Sequence, residues 1–237
     1  MRQLAVILLA LVALGSSATA KLKEAAMRLP TELGGVERWA VTGRQGWKNV
    51  ERLTFGSYLV NNVDRSYTKG SSLQILFYEG AKARQNFAFY AQGDDMETWR
   101  GEAETTAHRR ALDFDVEIEL RNKSGFGARL SPLSRPEEVW ILKLAEKREK
   151  PFEGDLTRGT QSIKVRGTNK LAGTFFALGE TAGYIFEIGG KPVAAVEVIN
   201  DGAVWLAPGL AADLRQPVTA AISSLLLFEE LRKTFPQ

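Results

Sequence analysis

The sequence predicts a mainly β protein, either an antiparallel β-barrel or a strongly curved sheet, wrapped around a hydrophobic C-terminal helix. Short segments rich in β-branched and aromatic residues recur along the chain, with turn residues between them. One of them, 111–120, alternates apolar and acidic residues over its whole length. The last apolar run, about 217–233, is apolar on nearly its whole circumference as a helix. A helix lying on a sheet needs only an apolar stripe, so this one favours a barrel that encircles it.

Residues 1–20 have the pattern of a cleavable secretory signal peptide. Arg2 supplies the positive charge, an apolar run follows from Leu4 to Leu14, and Ala18-Thr19-Ala20 forms a small-x-small cleavage site. The apolar run falls short of the ~20 residues that a spanning helix needs. We therefore expect a protein exported to a periplasm or to the exterior, with no integral membrane segment after cleavage.

The remainder, 21–237, is expected to form a single β-rich domain, large enough for a core without cross-links. The chain has no cysteine, so neither a disulfide nor a lipid attached through cysteine is expected. Its 31 basic and 28 acidic residues are interleaved without a basic stripe, which argues against a nucleic-acid partner. The sequence indicates no cofactor and leaves the oligomeric state open.

The strands are expected wherever a short β-rich run lies between turn residues such as Gly189-Gly190 and Asn200-Asp201-Gly202. Before them, 21–28 is expected to start as a short helix that Pro30 stops. The predicted strands are 73–78, 87–90, 97–100, 111–120, 139–144, 162–166, 174–178, 184–188, 193–199 and 204–206.

The C-terminal helix is predicted over about 217–233. Pro217 suits the first turn of a helix, where its missing N–H costs nothing. Thr219, Ser223 and Ser224 are the only light polar interruptions before the charged residues from Glu229 onward. We expect the apolar part inside the barrel and the charged end in water.

The final third of the chain carries a resemblance to a known family in four features: strand 184–188, turn 189–192, strands 193–198 and 204–206, and the apolar helix through Leu225 to Phe228. In these features it resembles the tubby-like superfamily, in particular the LURP-one-related and phospholipid-scramblase-like branch. The resemblance implies a twelve-stranded barrel around a hydrophobic C-terminal helix. Tubby proteins bind phosphoinositides through basic residues that have no matching positions here, so no site residue is carried over.

An acidic ladder in segment 111–120 is the first candidate site, because hard cations such as calcium collect carboxylate oxygens. Alternate residues of a strand lie ~6.5 to 7 Å apart, too far for more than two of them to share an ion. We therefore interpret the ladder as a solvated face and expect no metal. His108, the single histidine, is interpreted as a surface residue for want of partners. The ladder residues are Asp113, Asp115, Glu117 and Glu119.

Two polar segments, 63–70 and 154–160, each contain Asp, Arg, Thr and Gly. An arginine beside backbone amides can bind an anionic ligand, although plain loop chemistry explains both segments equally well. The candidate ligand-binding residues are Arg65, Lys69 and Arg158.

Two functions remain open from the sequence. The favoured one is an exported, non-catalytic module that binds a protein, a lipid or an envelope component through its loops. The alternative is an exported hydrolase or lyase with an unrecognised active site. Nucleophile-elbow, P-loop, HExxH and EF-hand motifs are absent from the sequence, so the balance leans away from an enzyme.

Overall fold

The structure is a computed structural model, and it confirms a mainly β barrel around a C-terminal helix. The residues that it describes are 25–44, 52–65, 83–93, 95–108, 123–147 and 150–228. Their regular elements are β1 (Trp39–Ala40), β2 (Arg52–Phe55), β3 (Tyr58–Asp64), β4 (Ala83–Gln92), β5 (Thr98–His108), β6 (Lys123–Pro132), β7 (Trp140–Lys147), β8 (Lys150–Arg158), β9 (Gln161–Thr168), β10 (Gly183–Ile188), β11 (Lys191–Glu197), β12 (Ala203–Leu206) and α1 (Ala212–Leu227).

The strands form one antiparallel sheet in which β2 to β12 pair in sequence order and β1 pairs with β12. The two outermost strands then meet, because Thr42, just after β1, exchanges both backbone hydrogen bonds with Thr54 of β2 (N···O 2.9 and 3.2 Å). The two threonine hydroxyls add a contact of 2.6 Å between their Oγ1 atoms. This single bridge brings the sheet edges together, and it closes the barrel with few open edges.

Most predicted strands in the described residues are confirmed, and the errors follow local composition. Segment 174–178 is not a strand, and 25–28 is not helical. Conversely, β1 to β3 were not predicted, β6 was missed because its glycines weaken the strand signal, and much of β8 was assigned to a polar loop at 154–160. In β6 and β8, the neighbouring strands supply hydrogen bonds on each side, which overrides weak local propensity. The predicted strands 73–78 and 111–120 lie outside the described residues.

The helix lies inside the barrel, as expected, but its bounds differ from the predicted 217–233. It begins at Ala212 and ends at Leu227, and Phe228 already has extended backbone. Pro217 is therefore inside the helix instead of at its start, and it marks the point where the helix enters the interior. Residues 211–213 are exposed and 214–216 half-buried, whereas every residue from Pro217 to Phe228 is buried.

Small side chains on the inner barrel wall make room for α1. The helix contacts β5, β6 and β11, whose inward residues include the fully buried Ala103, Ala128 and Ala194. At Gly101, a Cβ atom would lie only 2.1 Å from the ring of Phe89. Where larger side chains point inward, they fill the space around the helix with aromatic and aliphatic groups, so the interior is a packed core.

The hydroxyl groups of the buried helix are satisfied within the helix itself. Thr219 Oγ1 donates to the carbonyl oxygens of Arg215 and Gln216, both at 3.0 Å. Ser223 Oγ donates to Thr219 O at 2.8 Å, and Ser224 Oγ donates to Ala221 O at 2.7 Å. These bonds remove the cost of burying an unpaired hydroxyl, so the polar interruptions are compatible with an apolar surrounding.

A second, smaller hydrophobic cluster lies on the outside of the barrel. The segment 25–38 runs over β10 to β12 and buries Met27 and Leu33 against outward side chains such as Ala195 and Trp205. The buried carboxylate of Glu197 accepts a hydrogen bond from the backbone N–H of Met27 at 2.6 Å. Among the described residues, no helix combines the length and apolar character needed to cross a bilayer.

Candidate functional site

The barrel has two ends, and the candidate residues Arg65 and Arg158 lie at opposite ones. We call the end where α1 begins the upper end and the end where α1 finishes the lower end. Arg65 directly follows β3 at the lower end, and Arg158 is the last residue of β8 at the upper end. The structure therefore does not bring these two arginines into one anion site.

Arg65 contacts the C-terminus of the central helix. Its Nη2 donates to the carbonyl oxygen of Leu227 at 3.2 Å, and its Cζ lies 5.7 Å from the ring centroid of Phe87. The last carbonyls of a helix have no partner within the helix and carry partial negative charge. Arg65 thus has a structural role as a cap on α1.

Arg158 is engaged on every nitrogen of its guanidinium group. Nη1 donates to Glu138 Oε2 at 2.7 Å, and Nε and Nη2 donate to Gln161 Oε1 at 3.3 and 3.1 Å. Its Cζ also lies 5.2 Å from the ring centroid of Trp140. These contacts hold the group against its own barrel, so a ligand anion would have to compete with Glu138.

The contact between Arg158 and Glu138 belongs to a chain of alternating charges across the upper end. Arg135 donates to Glu138 Oε1 at 2.9 Å and to both carboxylate oxygens of Glu97 at 3.2 and 3.3 Å. The hydrogen bond that Arg135 donates to Glu97 and the negative charge of Glu138 raise the pKa of Arg135 above its usual value. These ion pairs connect three separate segments, and their two positive and two negative groups balance. The contacts therefore stabilise the upper end.

The remaining sequence candidates give no site in the described residues. Lys69 and the ladder of Asp113, Asp115, Glu117 and Glu119 lie outside them. His108 ends β5. In the part of the chain that the structure describes, no group of three or more acidic or histidine side chains is placed to hold a metal ion.

Among the described residues, the most exposed large apolar side chains belong to the connection between β9 and β10 at the lower end. Phe175 and Phe176 have relative exposures of 104% and 84%. We call residues 169–182 the aromatic loop. Single apolar residues on a surface are common, but two adjacent phenylalanines that contact almost nothing leave a large hydrophobic area in water.

The backbone of the aromatic loop is held at several points, so the two rings are presented by an ordered scaffold. Asn169 and Leu178 exchange two hydrogen bonds at the base, of 2.8 and 3.0 Å. Phe176 N donates to Thr174 Oγ1 at 2.9 Å nearer the tip. These bonds hold the backbone of a loop whose two phenylalanine rings both lie in solvent.

The segment 26–28 adds an edge to the same loop. Arg28 N donates to Lys170 O at 2.9 Å, and Ala172 N donates to Ala26 O at 2.8 Å. The guanidinium group of Arg28 donates to the carbonyl oxygens of Leu171 and Thr174. Leu171 itself is buried under the loop, so the tip stands on an anchored base.

Sequence reasoning missed this loop because aromatic residues raise strand propensity. Two features of the sequence point the other way. Adjacent side chains of a strand face opposite sides, so Phe175 and Phe176 cannot both face a core. Gly173 and Gly179 also bracket the pair, and Gly173 has a positive φ of 70°. Together they indicate a protruding loop.

The upper end also has exposed apolar residues, but they do not form a single protruding tip. Met96 and Leu133 have relative exposures of 71% and 51% and lie in two different loops. A hydrogen bond of 2.8 Å from Leu133 N to Thr98 O joins the second loop to the first residue of β5. This pair lies among the charged groups of Glu97 and Arg135, which surround it with polar surface.

Comparison of the chain with protein-family models, with curated proteins and with solved structures finds no match. The functional argument therefore depends on the geometry of the chain itself.

Proposed function

We propose that the protein is an exported, non-catalytic binding module whose aromatic loop is the contact surface. The single observation that carries the proposal is the exposure of Phe175 and Phe176 on an ordered loop. Burying one phenylalanine side chain is worth about 1.5 to 3 kcal/mol, so covering both would contribute substantially to binding.

The filled interior of the barrel supports binding at the surface. Barrel mouths commonly hold small ligands. Here the buried residues from Pro217 to Phe228 occupy the interior. The alternative function, an exported hydrolase or lyase, would need its site elsewhere, and no described feature favours it over binding.

A relationship to the tubby-like superfamily is part of the proposal. The twelve strands and the central apolar helix are the architecture that the resemblance of the final third implies, and this agreement supports it. The binding surface proposed here does not depend on that relationship, since it is argued from Phe175 and Phe176 alone.

Export is proposed from the signal-peptide pattern of residues 1–20. Expression of the full chain in an exporting host, followed by mass measurement of the product outside the cytoplasm, tests it. We expect a mature protein that begins at Lys21. An intact chain retained in the cytoplasm would contradict the proposal of export.

The binding role is tested by co-sedimentation of the purified protein with the envelope fraction of its source cells. We expect the wild type to sediment with the envelope and the double variant Phe175→Ser/Phe176→Ser to remain in the supernatant. The matched control is Met96→Ser/Leu133→Ser, which removes the exposed apolar pair of the upper end and should bind like the wild type. Equal sedimentation of the aromatic-loop variant and the wild type would contradict the proposal.

A further inference from the structure

The shape of the aromatic loop favours a fluid partner over a folded protein. An interface between folded proteins covers about 800 Å² on each partner, with a fitted apolar centre. Two phenyl rings offer roughly 150 to 250 Å² each. Among the described residues, the other large exposed hydrophobic side chains, Met96 and Leu133, lie at the upper end and cannot enlarge the patch. A bilayer needs no matching surface, so a small protruding apolar tip is enough.

The charges around the two rings indicate which headgroup charge the bilayer should carry. Lys170 is exposed and lies opposite Ala177 in the bridge below the two rings. Arg28 is exposed too, and its bonds to Leu171 O and Thr174 O hold its positive charge at the side of the loop. The one acidic residue of the loop, Glu180, is half-buried near its end. Cations beside an apolar tip match anionic headgroups above acyl chains.

We infer that the aromatic loop inserts Phe175 and Phe176 into the boundary between headgroups and acyl chains of an anionic bilayer. Lys170 and Arg28 then lie at the level of the headgroups. The inference rests on the proposed function, because it names the partner of the same surface. The ordered base of the loop makes insertion favourable, since little conformational entropy remains to be lost.

Vesicle sedimentation tests the inference, with phosphatidylcholine vesicles prepared with and without phosphatidylglycerol. We expect the wild-type protein to bind the anionic vesicles, and more weakly as salt is added, because salt screens the two exposed cations. Phe175→Ser/Phe176→Ser should bind at least about tenfold more weakly. Lys170→Gln should lose about fivefold, the usual effect of one cation near an anionic surface.

The control variant Met96→Ser/Leu133→Ser should bind vesicles like the wild type, because it removes a similar exposed pair from the opposite end. Thermal melts of all variants should coincide with that of the wild type, which separates loss of binding from loss of fold. Unchanged vesicle binding by the phenylalanine variant would overturn the inference.

The absence of wild-type binding to any vesicle would overturn it as well. The envelope experiment then separates the two levels. Envelope sedimentation that needs Phe175 and Phe176 but is not reproduced by lipid vesicles would leave the binding module standing with a different partner. If the protein sediments with neither the envelope fraction nor the vesicles, both the proposed function and the inference are contradicted.

Discussion

The loops at the two ends of the barrel differ in how far their exposed side chains contact one another. At the upper end, charged side chains join separate segments, as Arg135 does with Glu97 and Arg158 does with Glu138. The described strand connections there are short, and Gln216 ties the first turns of α1 to Asp95. At the lower end, the described connection 169–182 is long, and it carries two exposed rings.

This difference shows that the contacts which stabilise the fold are separate from the surface proposed for binding. At the upper end, the charged side chains of Glu97, Arg135, Glu138 and Arg158 are engaged with one another. The lower end contains both the C-terminus of α1, capped by Arg65, and a loop tip that contributes nothing visible to the core. Substitutions at the lower end should therefore affect folding according to the burial and contacts of the side chain that is changed.

The largest effect is expected from Leu226→Asp, in the buried part of α1 near the lower end. Leu226 is 3% exposed, so the variant places an unpaired carboxylate in the core, which costs several kcal/mol. We expect loss of the cooperative thermal melt. Leu226→Met, which nearly conserves the volume, should cost less than about 1.5 kcal/mol. A melt of Leu226→Asp near the wild-type midpoint would contradict a helix enclosed by strands.

A smaller effect is expected from Arg65→Met. It removes the charged hydrogen bond to Leu227 O while keeping an unbranched apolar stem, and should lower the free energy of unfolding by about 1 to 2 kcal/mol. Urea denaturation measures this loss. The matched variant at the upper end, Arg135→Met, should cost less than Arg65→Met, because its ion pairs are exposed to solvent. The reverse order would show that the upper network, not the helix cap, dominates stability.

The smallest effect is expected from Phe175→Ser/Phe176→Ser. Neither ring is buried in the protein, so the free energy of unfolding should stay within about 0.5 kcal/mol of the wild type. Chemical denaturation followed by tryptophan fluorescence is a suitable measurement. Destabilisation by more than 2 kcal/mol, a value typical of core truncation, would mean that the rings pack against the protein in solution.

The sequence predicted the fold class because its strongest signal concerned burial on all sides. A helix without a polar face has to be enclosed, and the buried run from Pro217 to Phe228 shows this directly. The bounds of the helix were harder to predict, because residues 212–216 extend the helix outside the apolar region. In β6, Gly125 and Gly127 lower the local strand signal, and pairing with β5 and β7 decides the structure.

The candidate site was less predictable than the fold. Composition identified Arg65 and Arg158 as possible anion ligands, but the acceptors that they meet, Leu227 O and Glu138, are set by tertiary contacts. The exposed pair Phe175 and Phe176 was assigned to a strand, because aromatic residues in a short run favour one. Whether such a run is buried depends on the neighbouring strands, and none of the described strands pairs with it.

Labelling of the loop tip tests the central claim most directly. Because the chain has no cysteine, Phe175→Cys introduces a unique site for an environment-sensitive fluorophore, and Leu133→Cys provides the same site at the upper end. On addition of anionic vesicles, we predict a blue shift and protection from aqueous quenchers at position 175, with no change at position 133. A label at 175 that stays in water while the protein is bound to vesicles would contradict the account.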